Sequence, residues 1–362
     1  PMSSLNTAII GGGVAGLGLA RGLAHRGMPV TLFERSEAYG ERGFGFILLA
    51  NGWLALRGLG IEFDPRELGQ SLGRAVIRAV DGTILKDETL DGAVAVSRFD
   101  LLSAIMHGLP NGAIELGRDF TGFEWDGNRA LAARFDDGST FEASAFVGSD
   151  GVRSRCRECV APSHAWQAGR VKEIVSSVQA PALAAALGTT FRKVMHPGGG
   201  LAVGLVPAGR GRVIWFVQFD AQRFQPPALG QAMDFFTEHL AGFPADVRAA
   251  IAATDPATPH VWHTVDMDPP PSMVRGNVAL IGDAAHPLLP FTSQGANSAL
   301  EDAVLLADLI ARCRSQGDVA LAMRSFNAVR HPLMVQYVEG GRAIARQFVE
   351  PIDGAVPLPL LT

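Results

Sequence analysis

Runs and repeats of apolar side chains divide the chain into a few legible segments. Thr7 to Ile10 is a short apolar run of strand length, and after three glycines the apolar residues recur at helical spacing through LGLARGLAHRG to Gly27. Pro29 to Phe33 is a second short run. The same order returns at Ala145, where a strand precedes a helix opened by Ser154 and Arg157, and at Gly276, where Val278 to Ile281 predicts a buried strand and Gly295 begins a long helix. Between them, Gly73 to Lys86 and Lys172 to Phe219 are rich in strand formers, and FRKVMHPGGGLAVGLVPAGRGRVIWFVQFD reads as strands joined by Pro and Gly turns. A helix near Leu229 to Leu240 and a strand near His260 to Asp266 complete that part. Glu301 to Cys313 and Val319 to Phe348 predict long closing helices whose regularly spaced apolar residues belong to a core.

Composition narrows the classes of function. With 362 residues, 48% of them hydrophobic, the chain can bury a sizeable core, and its length predicts two or three domains. A formal charge of -5 and the lack of any Lys/Arg run argue against nucleic acid or an anionic membrane and point to a small-molecule partner. No apolar stretch reaches the roughly 18 residues of a membrane span, and the N-terminus lacks signal-peptide order, so the cytoplasm is the expected compartment. Pro1, ahead of Met2, reads as a leftover of expression, and the ending PLPLLT is expected to leave no room for a further domain. Cys156 and Cys159 form a C-x-x-C, but no second pair completes a zinc site, and two ordinary cysteines at a helix end are expected, with no metal.

The first apolar run, the glycines and the helix together form a strand, turn and helix. Gly11, Gly13 and Gly16 occupy the positions of G-x-G-x-x-G, where glycine permits a tight turn, close approach of the backbone to a pyrophosphate, and close packing of helix on strand. The free N–H groups of the helix start face the phosphates. Glu34 closes the second strand, where a carboxylate holds a ribose 2′-hydroxyl, which suits FAD or NAD over NADP at this site. Val14, Ala15 and Arg35 complete the candidate set at this end.

Two later segments, AFVGSDGVRSRCR and GNVALIGDAAHPLLPFTSQGANSALEDAVLLADLI, carry a D-G and a G-D motif after the glycine fingerprint. From Ala8 to about Arg342 the chain resembles the class A flavin-dependent monooxygenases of the p-hydroxybenzoate hydroxylase type. The resemblance implies an α/β fold: a Rossmann-like, glutathione-reductase-type FAD-binding domain with an inserted β-sheet substrate domain and C-terminal closing helices. The expected limits are 1–72, 98–171 and 269–362 for the FAD domain, and 73–97 and 172–268 for the substrate domain. It implies FAD as cofactor and NADH or NADPH as a transient electron donor, since only one G-x-G-x-x-G is complete.

The resemblance also implies site residues. Asp283, after Gly282, is the expected ligand of the flavin's ribityl chain. Gly295, Ala296 and Asn297 open a helix whose N–H groups and dipole can stabilise negative charge on the reduced flavin. Pro290 lies on the same approach. Arg98 and Arg42 match arginines that come near the FAD, Arg42 standing ahead of GFGFILLANG, which matches a family loop that runs beside the isoalloxazine, and Asp150, Gly151 and Arg157 match the D-G motif, where an acid and a base capping one helix can hold at the same time. His286, within the G-D motif, is expected to position groups near the flavin. Ser293 departs from the family, which commonly has glycine two residues before Gly295. A serine there can touch the oxygen chemistry, or it can cap the helix.

The implied reaction is hydroxylation of an aromatic or other electron-rich small molecule with NAD(P)H and O2, through a flavin C4a-hydroperoxide. A halogenase, an oxidase or reductase, and a non-oxygenating FAD-binding protein stay open as alternatives on the same scaffold. His196, Trp215, Gln218 and Phe291 are the candidate substrate-facing residues, as aromatic walls and polar handles on the expected sheet or on the loop facing the flavin. Monomer and dimer both stay open.

Overall fold

The computed structural model describes residues 5–39, 44–62 and 64–357. The glycine fingerprint sits at the centre of a six-stranded sheet. Thr7–Ile10 lies between Val30–Glu34 and Ala145–Gly148, parallel to both, with Ile9 opposite Leu32 on one side and Val147 on the other. Ile114–Leu116 extends the sheet beyond Val30–Glu34, and Val278–Leu280 followed by antiparallel Val274–Arg275 extends it beyond Ala145–Gly148. All four residues of Thr7–Ile10 and of Ala145–Gly148 are buried, as expected of parallel strands covered on both faces. Because the chain leaves the central strand to one side first and returns to the other later, the carboxyl ends of these strands flank a crevice, the usual place for a ligand in such sheets.

Helix Val14–His25 buries Leu17, Leu19, Ala20 and Leu23 and packs against Gln294–Ala311. Their close approach depends on Gly22, where a Cβ would stand 2.6 Å from Leu59 and 3.0 Å from Ala307. Gln294–Ala311 and Gln316–Val349 are the two closing helices, the second started by a reciprocal Ser315–Asp318 capping box.

A second sheet of eight strands runs in the order His260–Trp262, Val171–Gln179, Arg212–Asp220, Leu201–Pro207, Thr190–Met195, Gly69–Ala79, Ile84–Ser97 and Gly45–Leu48. It is antiparallel except where Thr190–Met195 meets Gly69–Ala79. One face is covered by the helices Pro181–Leu187, Ala232–His239 and Ala245–Ala252, around a core of Val203, Leu205, Trp215, Phe219 and Phe236. The opposite face carries Phe191, Ile214 and Phe216, and beyond them Ile77, Met195 and Ala202, onto which Phe291 and Phe348 pack.

Three elements differ from the sequence reading. GFGFILLANG was expected as a loop, yet Gly45–Leu48 is the edge strand of the larger sheet, paired with Val94 to Ser97. His260 to Asp266 is not one strand. His260–Trp262 joins the larger sheet and Val265–Asp266 pairs with Gln167–Ala168, with the break at Thr264, whose carbonyl accepts from the Gly169 N–H at 2.8 Å. A three-stranded sheet, Phe120–Asp126, Arg129–Phe135 and Thr140–Glu142, was not foreseen.

Candidate active site

The glycine turn opens on a cleft of about 550 Å³ that also gathers Glu34, Arg35, Arg98, Asp150 and Gly151 from separate parts of the sequence. Gly11 has φ of +105°, and a Cβ there would lie 2.4 Å from the Ser149 carbonyl oxygen. Gly16 is held as tightly, 2.0 Å from the Gly11 carbonyl by the same measure, whereas a Cβ on Gly13 would meet nothing within 4 Å. Two glycines are therefore demanded by packing, and the third leaves the backbone bare toward the cleft. Glu34 accepts from the N–H of Gly12 at 2.7 Å and of Ser36 at 2.9 Å, which fixes its carboxylate at the rim. Beside it the Tyr39 hydroxyl is buried with no partner among the described residues, and burial, with Glu34 nearby, pushes its pKa up. Arg98 begins helix Arg98–Met106, capped by Ser97, whose hydroxyl accepts from the Asp100 N–H at 3.0 Å. Arg42 lies outside the described residues. Arg118, Arg153 and Arg155 also line the cleft and were not foreseen.

The G-D turn is built on charge below it. Gly282 packs against Ala15 of the first helix, so the Ala15 side chain faces this turn while Val14 flanks the helix start. The Gly282 N–H donates to Asp302 Oδ2 at 2.9 Å, and His286 Nε2 shares that oxygen at 2.5 Å. Arg330 Nε donates to Asp302 Oδ1 at 2.7 Å, and its other nitrogens reach Glu301 and the Ser298 carbonyl. His286, Asp302 and Arg330 are all buried. Burial pushes the Asp302 carboxyl up, but His286 and Arg330 together overcome this and hold it below its ordinary value. Asp283 behaves oppositely: it is exposed, yet the protein around it raises its pKa by desolvation, which His286 and Arg157 only partly offset. Asp302 and Arg330 escaped the sequence reading because nothing local marks them.

In the D-G motif the capping reading holds for the acid and not for the base. Asp150 accepts from the Ser154 hydroxyl at 2.5 Å and from the Cys156 N–H at 3.0 Å, at the start of helix Arg155–Val160. Arg157 is buried and does not line the cleft. Its guanidinium donates to the carbonyls of Val152 at 2.5 Å and Ala284 at 2.9 Å, clamping the D-G turn to the G-D turn. Cys156 and Cys159 are free thiols whose pKa values burial raises, which fits ordinary packing. Among the described residues no cluster of metal-ligating side chains occurs.

Helix Gln294–Ala311 starts where the resemblance expects it. Pro290 opens a single turn of 3-10 helix, and a Cβ on Gly295 would meet nothing within 4 Å, so this helix end, like Gly13, is open. The Asn297 side chain accepts from the Leu49 N–H at 2.9 Å and donates to the carbonyls of Ile47 at 2.9 Å and Ser293 at 2.7 Å, pinning the Gly45–Leu48 strand to the helix start. Ala296 lies between them. Ser293 makes no side-chain capping bond and sits at φ +53°, in the left-handed region. The capping reading is thereby corrected, and the family's preference for glycine at this position has a backbone cause. Left-handed backbone costs a non-glycine residue roughly 1–2 kcal/mol, while glycine loses roughly 0.5–1 kcal/mol more entropy on folding. Relief of this backbone strain is by itself expected to leave the stability of Ser293→Gly unchanged or raise it by up to about 1.5 kcal/mol, read from the urea midpoint. A clear loss would show that the Ser293 side chain contributes more than the strain it carries.

The substrate candidates separate. Phe291 is buried and lines a second cavity of about 230 Å³ between the larger sheet and the end of helix Gln316–Val349. Gln218 is buried on the same sheet face, between Lys193 and Glu173. Trp215 corrects the reading: it lies on the opposite face, its ring 4.9 Å from Phe236 and its N–H donated to Thr254. His196 is also corrected. It sits exposed in a turn, its Nδ1 accepting from the Gly198 N–H at 3.1 Å, and does not line that cavity. No helix of the described residues is long and apolar enough to cross a membrane.

Comparison with known proteins fits this geometry. Residues 4–340 match the FAD binding domain family. The chain is 32% identical over 369 residues to the 3-amino-4-hydroxybenzoate 2-monooxygenase of Streptomyces cremeus, covering 97% of this chain and 89% of that one. It is 29% identical to the salicylate hydroxylase of Pseudomonas putida, covering 91% and 82%. Among solved structures, Klebsiella pneumoniae HpxO complexed with FAD and uric acid superposes with a TM-score of 0.86 at 24% identity, over 95% of this chain and 90% of that one, which speaks to the fold. A glycine cradle, an acid-bearing turn and an open helix end set beside a sheet-walled cavity thus coincide with matches along nearly the whole chain, and the chain belongs to the FAD binding domain family, among its class A flavin-dependent monooxygenases.

Proposed function

We propose that this enzyme hydroxylates a small aromatic compound with NAD(P)H and O2, holding FAD along the cleft and the substrate in the cavity walled by Phe291. The carrying observation is that the cavity and the open helix end share one element: the Pro290–Thr292 turn puts Phe291 into the cavity and leads through Ser293 and Gln294 into the open helix end at Gly295. The residues fit the cofactor, because Gly13 and Gly295, without Cβ neighbours, expose N–H groups where anionic groups are stabilised, and the Tyr39 hydroxyl, buried beside Glu34 without a partner among the described residues, is a spare donor next to that carboxylate.

In this reading Gly11, Gly13, Val14, Ala15 and Gly16 hold the pyrophosphate, Glu34 the ribose, and Arg35 and Arg98 neighbouring oxygens. Asp283 accepts from the ribityl hydroxyls, and the N–H groups of Gly295, Ala296 and Asn297 stabilise negative charge on the pyrimidine edge. Arg157, Gly282 and Asp302 position Asp283, and Asp150 and Gly151 shape the wall. FAD supplies electron transfer from the nicotinamide and activation of oxygen. The chain orients the ring, exclusion of water falls to the apolar cavity, and the 3-amino-4-hydroxybenzoate and salicylate enzymes supply the analogy for an aromatic substrate. The smaller sheet with its helices then forms the cofactor domain and the larger sheet the substrate domain.

Turnover under ¹⁸O2 tests this. A substrate that accelerates NAD(P)H oxidation should leave with one labelled oxygen atom. Label from water, or hydrogen peroxide as the sole product with every aromatic tried, overturns the hydroxylase reading.

A further inference from the structure

A file of three buried polar side chains crosses the apolar face of the larger sheet. Lys193, on Thr190–Met195, donates to Gln218 Oε1 at 2.5 Å, and Gln218 Nε2, on Arg212–Asp220, donates to Glu173 Oε1 of Val171–Gln179 at 2.6 Å. Lys193 is 3% exposed, Gln218 2% and Glu173 5%. Register explains the contact: Gln218 stands directly opposite Glu173, and the small Ala202, opposite Gln218 on its other side, lets Lys193 reach across diagonally. Burying two opposite charges so deeply, joined only through a neutral Gln218, is no gain over apolar packing, so the arrangement asks for a use.

The Lys193 ammonium lines the 230 Å³ cavity with Ile77, Met195, Phe291 and Phe348, and lies 5.6 and 5.4 Å from the centres of the two phenylalanine rings. An ammonium carries three donors, and among the described residues Gln218 is its only hydrogen-bond partner. The cavity is smaller than the roughly 300–1,000 Å³ usual for drug-sized ligands, so it suits a single ring. We propose that Lys193 anchors an anionic group of a one-ring aromatic substrate, and that Glu173, linked to it through Gln218, takes up a proton when the anion binds. The identity of the occupant as substrate rests on the hydroxylase reading above.

The charge balance gives the second half. Without ligand, Lys193 and Glu173 offset one another, and an entering anion leaves one buried negative charge in excess. Burial already raises Glu173 to about 7, against the pull of Gln218 and Lys193, and lowers Lys193 to about 8. An added anion raises both, so between about pH 7 and 9 the complex holds more protons than its parts. The other charged groups on the cavity, Glu350 and Asp353, are exposed at its rim, where solvent screens them.

The test uses oxidised, FAD-loaded enzyme without electron donor, titrated with benzoate and salicylate and with their neutral amides. Calorimetry at pH 7.5 in two buffers of different ionisation enthalpy reads the protons taken up. The acids should bind at least about tenfold more tightly than the amides, with uptake approaching one proton. Lys193→Met should erase the preference for the acids while amide binding and flavin content persist, and Glu173→Gln should bind the acids with clearly less uptake than wild type, the remainder coming from Lys193. Should Lys193→Met not fold, wild type against Glu173→Gln still decides. Failure of both acids to bind, equal binding of acids and amides, or unchanged uptake in Glu173→Gln overturns the anchor. If a neutral aromatic is nevertheless hydroxylated with labelled oxygen, the anchor alone has failed and the hydroxylase reading stands.

Discussion

Asp302→Ala is expected to cost about 3–5 kcal/mol of stability and to empty the protein of FAD, although Asp302 lines neither opening. The cost follows from what is left behind. Arg330, buried, would lose the acceptor 2.7 Å from its Nε, His286 its 2.5 Å partner, and the Gly282 N–H its acceptor. Removing one member of a buried charge cluster typically costs that much because the remaining charge is unpaired. Flavin loss follows because the Gly282 N–H is the bond that sets the turn carrying Asp283. Urea unfolding of the apoprotein and flavin absorbance of the purified protein measure the two effects. A midpoint equal to wild type would show that the cluster does not support the turn. The linkage has a sign as well. The Asp302 pKa is depressed in the fold, so its contribution is complete above the ordinary carboxyl range near pH ~4 and fades as pH falls through the depressed value. Asp302→Ala should therefore differ most from wild type near neutrality and least in acid.

The contrast between the motifs and their supports shows what could be read from residues alone. Gly11, Gly13, Gly16 and Glu34 were legible because strand, turn, helix and the next strand are consecutive, and local backbone demands choose the residue types. Ser293 was visible as a departure, but its cause, a positive φ, belongs to the backbone. Trp215 and Gln218 are three residues apart in VIWFVQFD, and an odd offset puts them on opposite faces of a strand. Sequence pattern could not say which face was which, since Arg212–Asp220 is buried along nearly its whole length on both faces and alternation is erased. The site face emerges only from register, which brings Lys193 and Glu173 to Gln218 from strands far apart in sequence. Each of the two carried a faint signal, a charge inside an apolar strand. Arg157 was placed in the right motif, but whether its guanidinium points at a ligand or at the carbonyls of Val152 and Ala284 is a matter of tertiary packing. The resemblance implies a loop at GFGFILLANG, and the strand Gly45–Leu48 stays hidden in the sequence because its partner, Val94 to Ser97, lies much later in the chain.

Asp283→Asn is expected to weaken FAD binding by about 10- to 150-fold, the loss of roughly 1.5–3 kcal/mol for hydrogen bonds to an ionised acceptor, while leaving the apoprotein at least as stable as wild type. The two halves have one cause. Asp283 sits exposed just past the strand end, where desolvation by the surrounding protein raises its pKa and His286 and Arg157 do not fully compensate it. A raised pKa in the fold means that its contribution to stability is present at low pH and lost as pH rises through that value, so the ionised form is carried at a cost near neutrality. Asparagine keeps the shape and removes the cost. The stability difference between Asp283→Asn and wild type should therefore shrink on acidification, as it does for Asp302→Ala, but with the opposite sign. FAD affinity of the wild type should also fall as acid protonates Asp283, because a neutral carboxyl is a poorer acceptor, and this part of the pH dependence should vanish in the variant. Two acids meeting at one turn are thus separable by direction: the one whose pKa the fold lowers holds the protein together, and the one whose pKa the fold raises is kept for the ligand. Equilibrium titration of apoprotein with FAD, read by quenching of flavin fluorescence alongside urea melts at pH 5 and 7.5, measures both quantities. Unchanged flavin affinity in Asp283→Asn would move the ribityl contact elsewhere, and a large loss of apoprotein stability would mean that Asp283, like Asp302, belongs to the scaffold.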